Sequence, residues 1–281
     1  MISCVAPEPF VDAPLLAHIH VPKTAGSSFR KVLDEHYGPS HVHLYLHNDT
    51  TFVYENSELA ELVRPPSVQA FSSHFVRRFP ASLAGRPVYY VTFLRDPVKQ
   101  FISYVTYTRD HYANIPDPVL LSHLPPGMAG LSIRESARWI LDGPDSSFRN
   151  FRENYNTNFF ARYPLLDVHG LDYADPRYRS ARAGAARRVL SQFLLAGIAE
   201  RMDESWALLR GRARKVGIEL PDARIPYENV SAERHEALDW IHPGDEVGGK
   251  LLESVREDYE LYRWALDRHM RAVESRATSL C

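Results

Sequence analysis

The chain has 281 residues, 44% of them hydrophobic and 24% charged, which suits one large core better than two equal domains. Acidic residues (35) and basic residues (33) nearly cancel, so no global field pulls the protein onto nucleic acid or an anionic membrane, and any anion must be held locally. The two cysteines, Cys4 and Cys281, sit at the chain ends, where they supply neither a disulfide framework nor a four-ligand zinc site; a reducing, cytoplasmic setting is expected.

Residues 1–14 lack the layout of a secretory signal and read as an N-terminal extension. A single domain is expected over 15–272, with a tail over 273–281. No apolar run approaches the roughly 20 residues needed to cross a bilayer, so no membrane partner is expected. Residues 15–21 read as a buried strand, 22–28 as a loop of small, turn-competent residues, and 29–37 as an amphipathic helix carrying Val32 and Leu33. Short strands follow at 42–46 and 68–71, separated by a short helix around 57–63. His41, His43 and His47 fall in this strand-like stretch without an accompanying carboxylate or cysteine set, so no metal is expected there. Residues 88–94 are apolar or aromatic at nearly every position, as in a central parallel strand.

Asp96-Pro97 is a helix-start signal, and the spacing predicts a helix over 97–110. The proline-rich stretch 114–130 reads as a long loop; with helices at 132–141 and 148–163 it suggests a substrate-side insertion over 114–190. A strand at 193–198, a capped helix at 203–216 and a final helix over 247–270 complete the chain. In the last, Leu252, Val255, Tyr259, Tyr262 and Leu266 form a core stripe. Strands alternating with helices predict an α/β fold with a central parallel sheet flanked by helices.

A loop of small residues at a helix start lets an anion approach unpaired amides. Pro22, Lys23, Thr24, Ala25, Gly26, Ser27 and Ser28 provide such a loop: Lys23 adds a charge, and Thr24, Ser27 and Ser28 add hydroxyls. An ordinary strand-to-helix turn with one exposed lysine is the bland alternative. The lysine precedes the glycine here, opposite to the order in nucleotide triphosphatase loops. His20-Val21-Pro22-Lys23-Thr24-Ala25-Gly26-Ser27-Ser28-Phe29 resembles the 5′-phosphosulfate loop of sulfotransferases that use 3′-phosphoadenosine 5′-phosphosulfate, in particular heparan sulfate 2-O-sulfotransferase and its bacterial relatives. That family's second signature is an arginine at a strand end, followed by Asp-Pro and by a helical serine, both contacting the donor's 3′-phosphate. Arg95-Asp96-Pro97 with Ser103 matches it.

The resemblance implies a P-loop-type three-layer fold, a sulfate donor as co-substrate, no metal, and an acceptor hydroxyl on a carbohydrate or small metabolite. Weaker likeness covers 195–205 and 258–262, while Asn158 stands where relatives often carry arginine. Lys23 is expected to neutralise charge on the bridging oxygen. Ser73-His74-Phe75 resembles the segment that carries the base in that branch, with Ser73 in place of glycine; this makes His74 the candidate base, with His20 and Asp49 behind it. Arg77 and Arg78 are candidates for an acidic acceptor, as are Arg177, Arg179, Arg182, Arg187 and Arg188, although a solvated helix face explains such charge runs equally well. The competing readings are a P-loop kinase, in which Thr24 and Asp96 would serve magnesium, and a nucleotide-binding protein without turnover. Oligomeric state has no signature in the sequence.

Overall fold

The computed structural model describes residues 13–45, 53–110, 127–143, 153–225 and 239–278. His47, Asp49, most of the N-terminal extension and most of the proline-rich loop therefore lie outside the described residues.

Strand β1 (Leu15–Ile19) is buried at every position. Because strand side chains alternate between faces, Leu15, Ala17 and Ile19 enter one apolar cluster and Leu16 another. Helix α1 (Gly26–Tyr37) covers the Leu16 face with Phe29, Val32 and Leu33. Next come β2 (His41–Leu44), α2 (Asn56–Val63), β3 (Ala70–Ser73), the two-residue β4 (Ser82–Leu83), β5 (Arg86–Leu94) and α3 (Pro97–Asp110). The second half contributes α4 (Ile133–Asp142), α5 (Tyr155–His169), α6 (Pro176–Ser191), β6 (Leu195–Ile198), α7 (Met202–Lys215), α8 (Glu246–Ser254) and α9 (Arg256–Thr278).

The sheet is α/β in the expected sense: β2, β3, β1, β5 and β6 lie side by side, every pair parallel, and β4 adds a short antiparallel hairpin to the start of β5. One face packs α1 and α7, the other α2, α5, α6 and part of α9. A satellite cluster joins α3, α4 and α8 around Trp240. Each large apolar side chain buried here is worth roughly 1.5–3 kcal/mol. No helix among the described residues is long and apolar enough to cross a membrane.

Two helices depart from the sequence reading. The segment expected as one helix over 247–270 is two, α8 and α9, broken at Val255, and α9 runs through Thr278 into the expected tail. The break is stabilised from elsewhere: the Asn154 side-chain oxygen accepts the amides of Glu257 and Asp258 at 2.7 and 3.1 Å. Asp258 returns the favour at the start of α5, accepting the amides of Asn156 and Thr157 at 3.0 and 2.8 Å. The two helix starts thus cap one another across a hundred residues of chain. This sets α5 at Tyr155–His169 rather than 148–163, with Pro164 inside the helix.

Candidate functional site

β1 and β5 are parallel neighbours, Leu15 opposite Val88 and His18 opposite Val91, so the loops that leave them open at one edge of the sheet. From β1 the chain continues toward β2 and β3; from β5 it continues toward β6. The strand order reverses between them, and open α/β sheets bind ligands outside the carboxyl ends at such a crevice.

The loop after β1 has a distinctive backbone. Lys23 and Ala25 are left-handed, with φ of 66° and 67°, whereas Pro22, Thr24 and Gly26 are not. Alternating handedness turns successive amide N–H groups toward a common concavity that suits an anion. Two non-glycine residues in this region cost about 1–3 kcal/mol each. Capping does not offset that cost, because Ala25 gives α1 no side-chain cap and the first turn contains no acid. Helix α4 shows the contrast, its Ser132 and Glu135 completing a capping box. The positive end of the α1 dipole is therefore uncompensated by the helix's own residues.

Neighbouring groups hold the loop through its carbonyls. Thr92 Oγ1 donates to Ile19 O, Thr24 Oγ1 to Val21 O, Gln100 Nε2 to Pro22 O and Arg95 Nη1 to Lys23 O, at 2.8, 2.8, 2.9 and 3.1 Å. The Thr24 hydroxyl, expected to point at phosphate, is buried and staples the loop instead. Arg95 from the β5 end and Lys23 from the β1 end are thus in direct contact. Along α3, Gln100, Ser103 and Tyr107 share one face; Gln100 touches the loop, and the Lys23 ammonium lies 4.2 Å from the Tyr107 ring centroid. Ser103, half-buried, falls between these two contacts. Asp96 caps α3, accepting the Lys99 amide at 2.9 Å, and also accepts from Tyr259.

His74 lies just beyond β3. Its Nδ1 is 2.5 Å from the carbonyl oxygen of His20. A carbonyl only accepts, so Nδ1 carries the proton and Nε2 is free of one. The rings of His74 and His20 are 4.3 Å apart, and the His20 ring fills the space where Gly26 would carry a Cβ. Tyr45 completes the group, its hydroxyl 3.0 Å from His20 Nδ1. Ser73 is buried and donates to Leu44 O at 2.9 Å.

Burial pushes the His74 imidazole down to about 4, and burial likewise holds His18 and His20 well below the usual histidine value. All three are neutral when folded and basic when unfolded, so protons are taken up on unfolding below pH 6.5 and stability falls as pH falls. Each costs about 1.4 kcal/mol per pH step below 6.5 until its folded value is reached. Asp258, raised to about 6 by burial, works in the opposite sense but is a single group. Calorimetry should therefore find the melting temperature dropping steadily from pH 7 to 5; an unchanged value would contradict neutral buried imidazoles.

The flanking arginines sort by partner. Arg78 pairs with Asp167 and Glu55 at 2.7 and 2.8 Å, which makes it a brace. Arg77 lies 3.5 Å over the Phe159 ring among Tyr155, Tyr163 and Tyr173, bonded to the carbonyls of His74 and Val76, and burial pushes it down to about 10. In the later cluster Arg177 pairs with Asp175, Arg187 with Glu260, and the buried Arg182 with both Glu153 and Glu257. Asn158 belongs to that clamp, accepting from Tyr178 and Arg182. Arg182 and Arg187 thus clamp α6 against α9 and the start of α5, while Arg177 pairs within its own helix start.

Gln100, Tyr107 and Tyr45 are site residues that the sequence reading passed over. Gln100 also accepts from Asn156 Nδ2 at 2.7 Å, so a buried chain runs from Asp258 through Asn156 and Gln100 to the Pro22 carbonyl. A groove of about 390 Å³ between Phe79, Pro164, Ala185 and Gln192 belongs to the opposite end of the sheet, where α6 leads into β6. The crevice at the carboxyl ends, with its loop, cations and neutral histidine, is where the chemistry converges. No protein-family model matches the chain, and no curated protein matches it.

Proposed function

We propose that the protein is a sulfotransferase of P-loop-type fold that moves a sulfuryl group from 3′-phosphoadenosine 5′-phosphosulfate to an acceptor hydroxyl on a carbohydrate or small metabolite. The observation that carries this reading is the contact between the two strand-to-helix junctions, with Arg95 bonded to the backbone of the Lys23 loop at the β1/β5 crevice. A donor with phosphate at both its 5′ and 3′ positions has a use for both junctions; a simple anion has a use for one.

In this scheme the loop amides and Lys23 bind the 5′-phosphosulfate, while Arg95 and Ser103 bind the 3′-phosphate. The acceptor oxygen forms a bond to sulfur as the bond from sulfur to the bridging oxygen breaks, and the bridging oxygen leaves on the nucleotide, its charge met by Lys23. His74 Nε2 takes the acceptor's proton, its tautomer set by the His20 carbonyl. The buried Thr24 hydroxyl and the capping role of Asp96 both count against the magnesium-dependent kinase alternative.

Incubation with isotopically labelled donor and an acceptor panel, read by mass, tests the proposal. Labelled product should form, Lys23→Ala and His74→Ala should each abolish most of it, and His74→Ala should retain binding of 3′-phosphoadenosine 5′-phosphate. A general base contributes about 10²–10⁴-fold. Preferential binding of ATP with magnesium over 3′-phosphoadenosine 5′-phosphate would overturn the assignment.

A further inference from the structure

A second polar cluster lies on the outer side of the sheet. His41 and His43 occupy alternate positions of β2 and so project to one face. The connection from α1 is one tight turn through Gly38, whose amide bonds to the Asp34 carbonyl, and this brings the Asp34 side chain over the strand. Asp34 Oδ1 is 2.7 Å from His41 Nδ1 and 2.5 Å from His43 Nε2. The three ligand-type atoms lie within 4.8 Å of one another. The carboxylate absent from the histidine run in sequence is thus supplied by the preceding helix.

We propose that Asp34, His41 and His43 form a binding site for a divalent transition-metal ion, zinc being the ion best matched to two imidazoles and one carboxylate. Such ligands bind zinc at about 2.0–2.2 Å, and three protein donors leave a fourth position for water. Tetrahedral edges for such bonds are roughly 3.3 Å, so the ion takes the place of the two hydrogen bonds, moves each nitrogen away from Asp34 Oδ1 by less than about 1 Å, and draws together the two histidine nitrogens, which lie within 4.8 Å of one another. Asp34 and His43 can accommodate this because their side chains are 39% and 42% exposed. Arg30, one turn back on α1 and 5.4 Å from the Tyr45 ring, carries a positive charge that already acts on His41 and would limit the affinity.

What sets this cluster apart from a chance pair of surface histidines is its support from behind. His41 Nε2 is 2.8 Å from Ser72 Oγ, which is 2.9 Å from Nδ1 of the buried His18. Metal-binding histidines are commonly oriented by such a bond on the other ring nitrogen. Without metal, Asp34 accepts from His41 Nδ1–H, so Ser72 donates to His41 Nε2 and His18 Nδ1–H donates to Ser72. His18 Nε2 is then an unprotonated, buried atom with no partner among the described residues. With an ion on His41 Nδ1, its proton moves to Nε2, the Ser72 hydroxyl turns toward His18 Nδ1, and the His18 proton shifts to Nε2. No proton is gained or lost along this chain, and the His18 ring, stacked 5.2 Å from His20, changes tautomer.

The untagged full chain, stripped with a chelator and titrated with zinc against a chromogenic zinc indicator, tests the site. Saturable one-to-one binding is expected, weakened at least about 10-fold by Asp34→Asn and by His43→Ala and unchanged by His169→Ala, an exposed histidine elsewhere. His43→Ala keeps the test valid if a His41 variant misfolds, since His43 is exposed. Nitrogen-15 spectra should show the His18 tautomer inverting on zinc addition in the parent chain but not in Ser72→Ala. Absence of saturable binding, or binding indifferent to Asp34→Asn and His43→Ala, would overturn the proposal.

Discussion

Arg95→Ala should weaken binding of 3′-phosphoadenosine 5′-phosphate by about 2–4 kcal/mol, roughly 30- to 700-fold, because truncating one partner of a charged, hydrogen-bonded pair leaves the other charge unmatched. The useful contrast is with adenosine 5′-phosphate, which lacks only the 3′-phosphate. If Arg95 meets that phosphate, the variant should lose most of the parent chain's preference for the first ligand, Ser103 keeping a small remainder. Arg95→Lys should recover only part of the preference, since an ammonium cannot match the guanidinium fork. Because Arg95 also donates to Lys23 O, a general loosening of the loop would instead weaken both ligands equally. Isothermal titration with the two ligands separates these outcomes, and an equal loss would remove Arg95 from the 3′-phosphate role.

Gly26→Ala is expected to be the most damaging small substitution in the loop. An added Cβ would lie 2.0 Å from Cδ2 and 2.3 Å from Nε2 of the His20 ring. The constraint is steric rather than conformational, since Gly26 is an ordinary helical residue. The His20 ring is penned between His18, His74 and Tyr45, so it cannot swing clear without disturbing the stack. Overpacking of this kind costs about 1–3 kcal/mol or more, and a domain of this size should lose roughly 2–4 °C of melting temperature per kcal/mol. Donor binding should fall as well, because the loop has to lift off the sheet. A variant with parent-like melting and binding would show that the His20 ring is not fixed where the structure has it.

Local signals in the sequence carried much of this. The Asp96-Pro97 helix start, the nearly continuous apolar run over 88–94 in β5 and the small-residue loop before α1 are each written within a dozen residues, and each is found in place. The alternation of strand and helix likewise leads to the parallel sheet. Features that depend on distant partners were out of reach. Gln100 meets Asn156 across 56 residues, and Asn156 meets Asp258 across 102; Asp34, only seven residues before His41, depends instead on the turn through Gly38 that folds its helix back over β2. The break at Val255 is invisible for the same reason, since Asn154 caps α9 from another part of the chain. The role of Arg182, left open by the sequence, is set by Glu153 and Glu257, acids far from it along the chain.

The chain of bonds from Asp258 to the Pro22 carbonyl has a bearing on how the protein is made. The loop after β1 is synthesised well before α9, yet the brace that reaches it through Gln100 and Asn156 ends on a carboxylate of that helix. During vectorial synthesis the loop has to wait, its costly left-handed residues without that brace, until α9 has emerged and docked against α5. A nascent chain lacking α9 therefore holds the loop sequence without its brace, which ties the settled shape of the loop after β1 to the docking of a helix made much later.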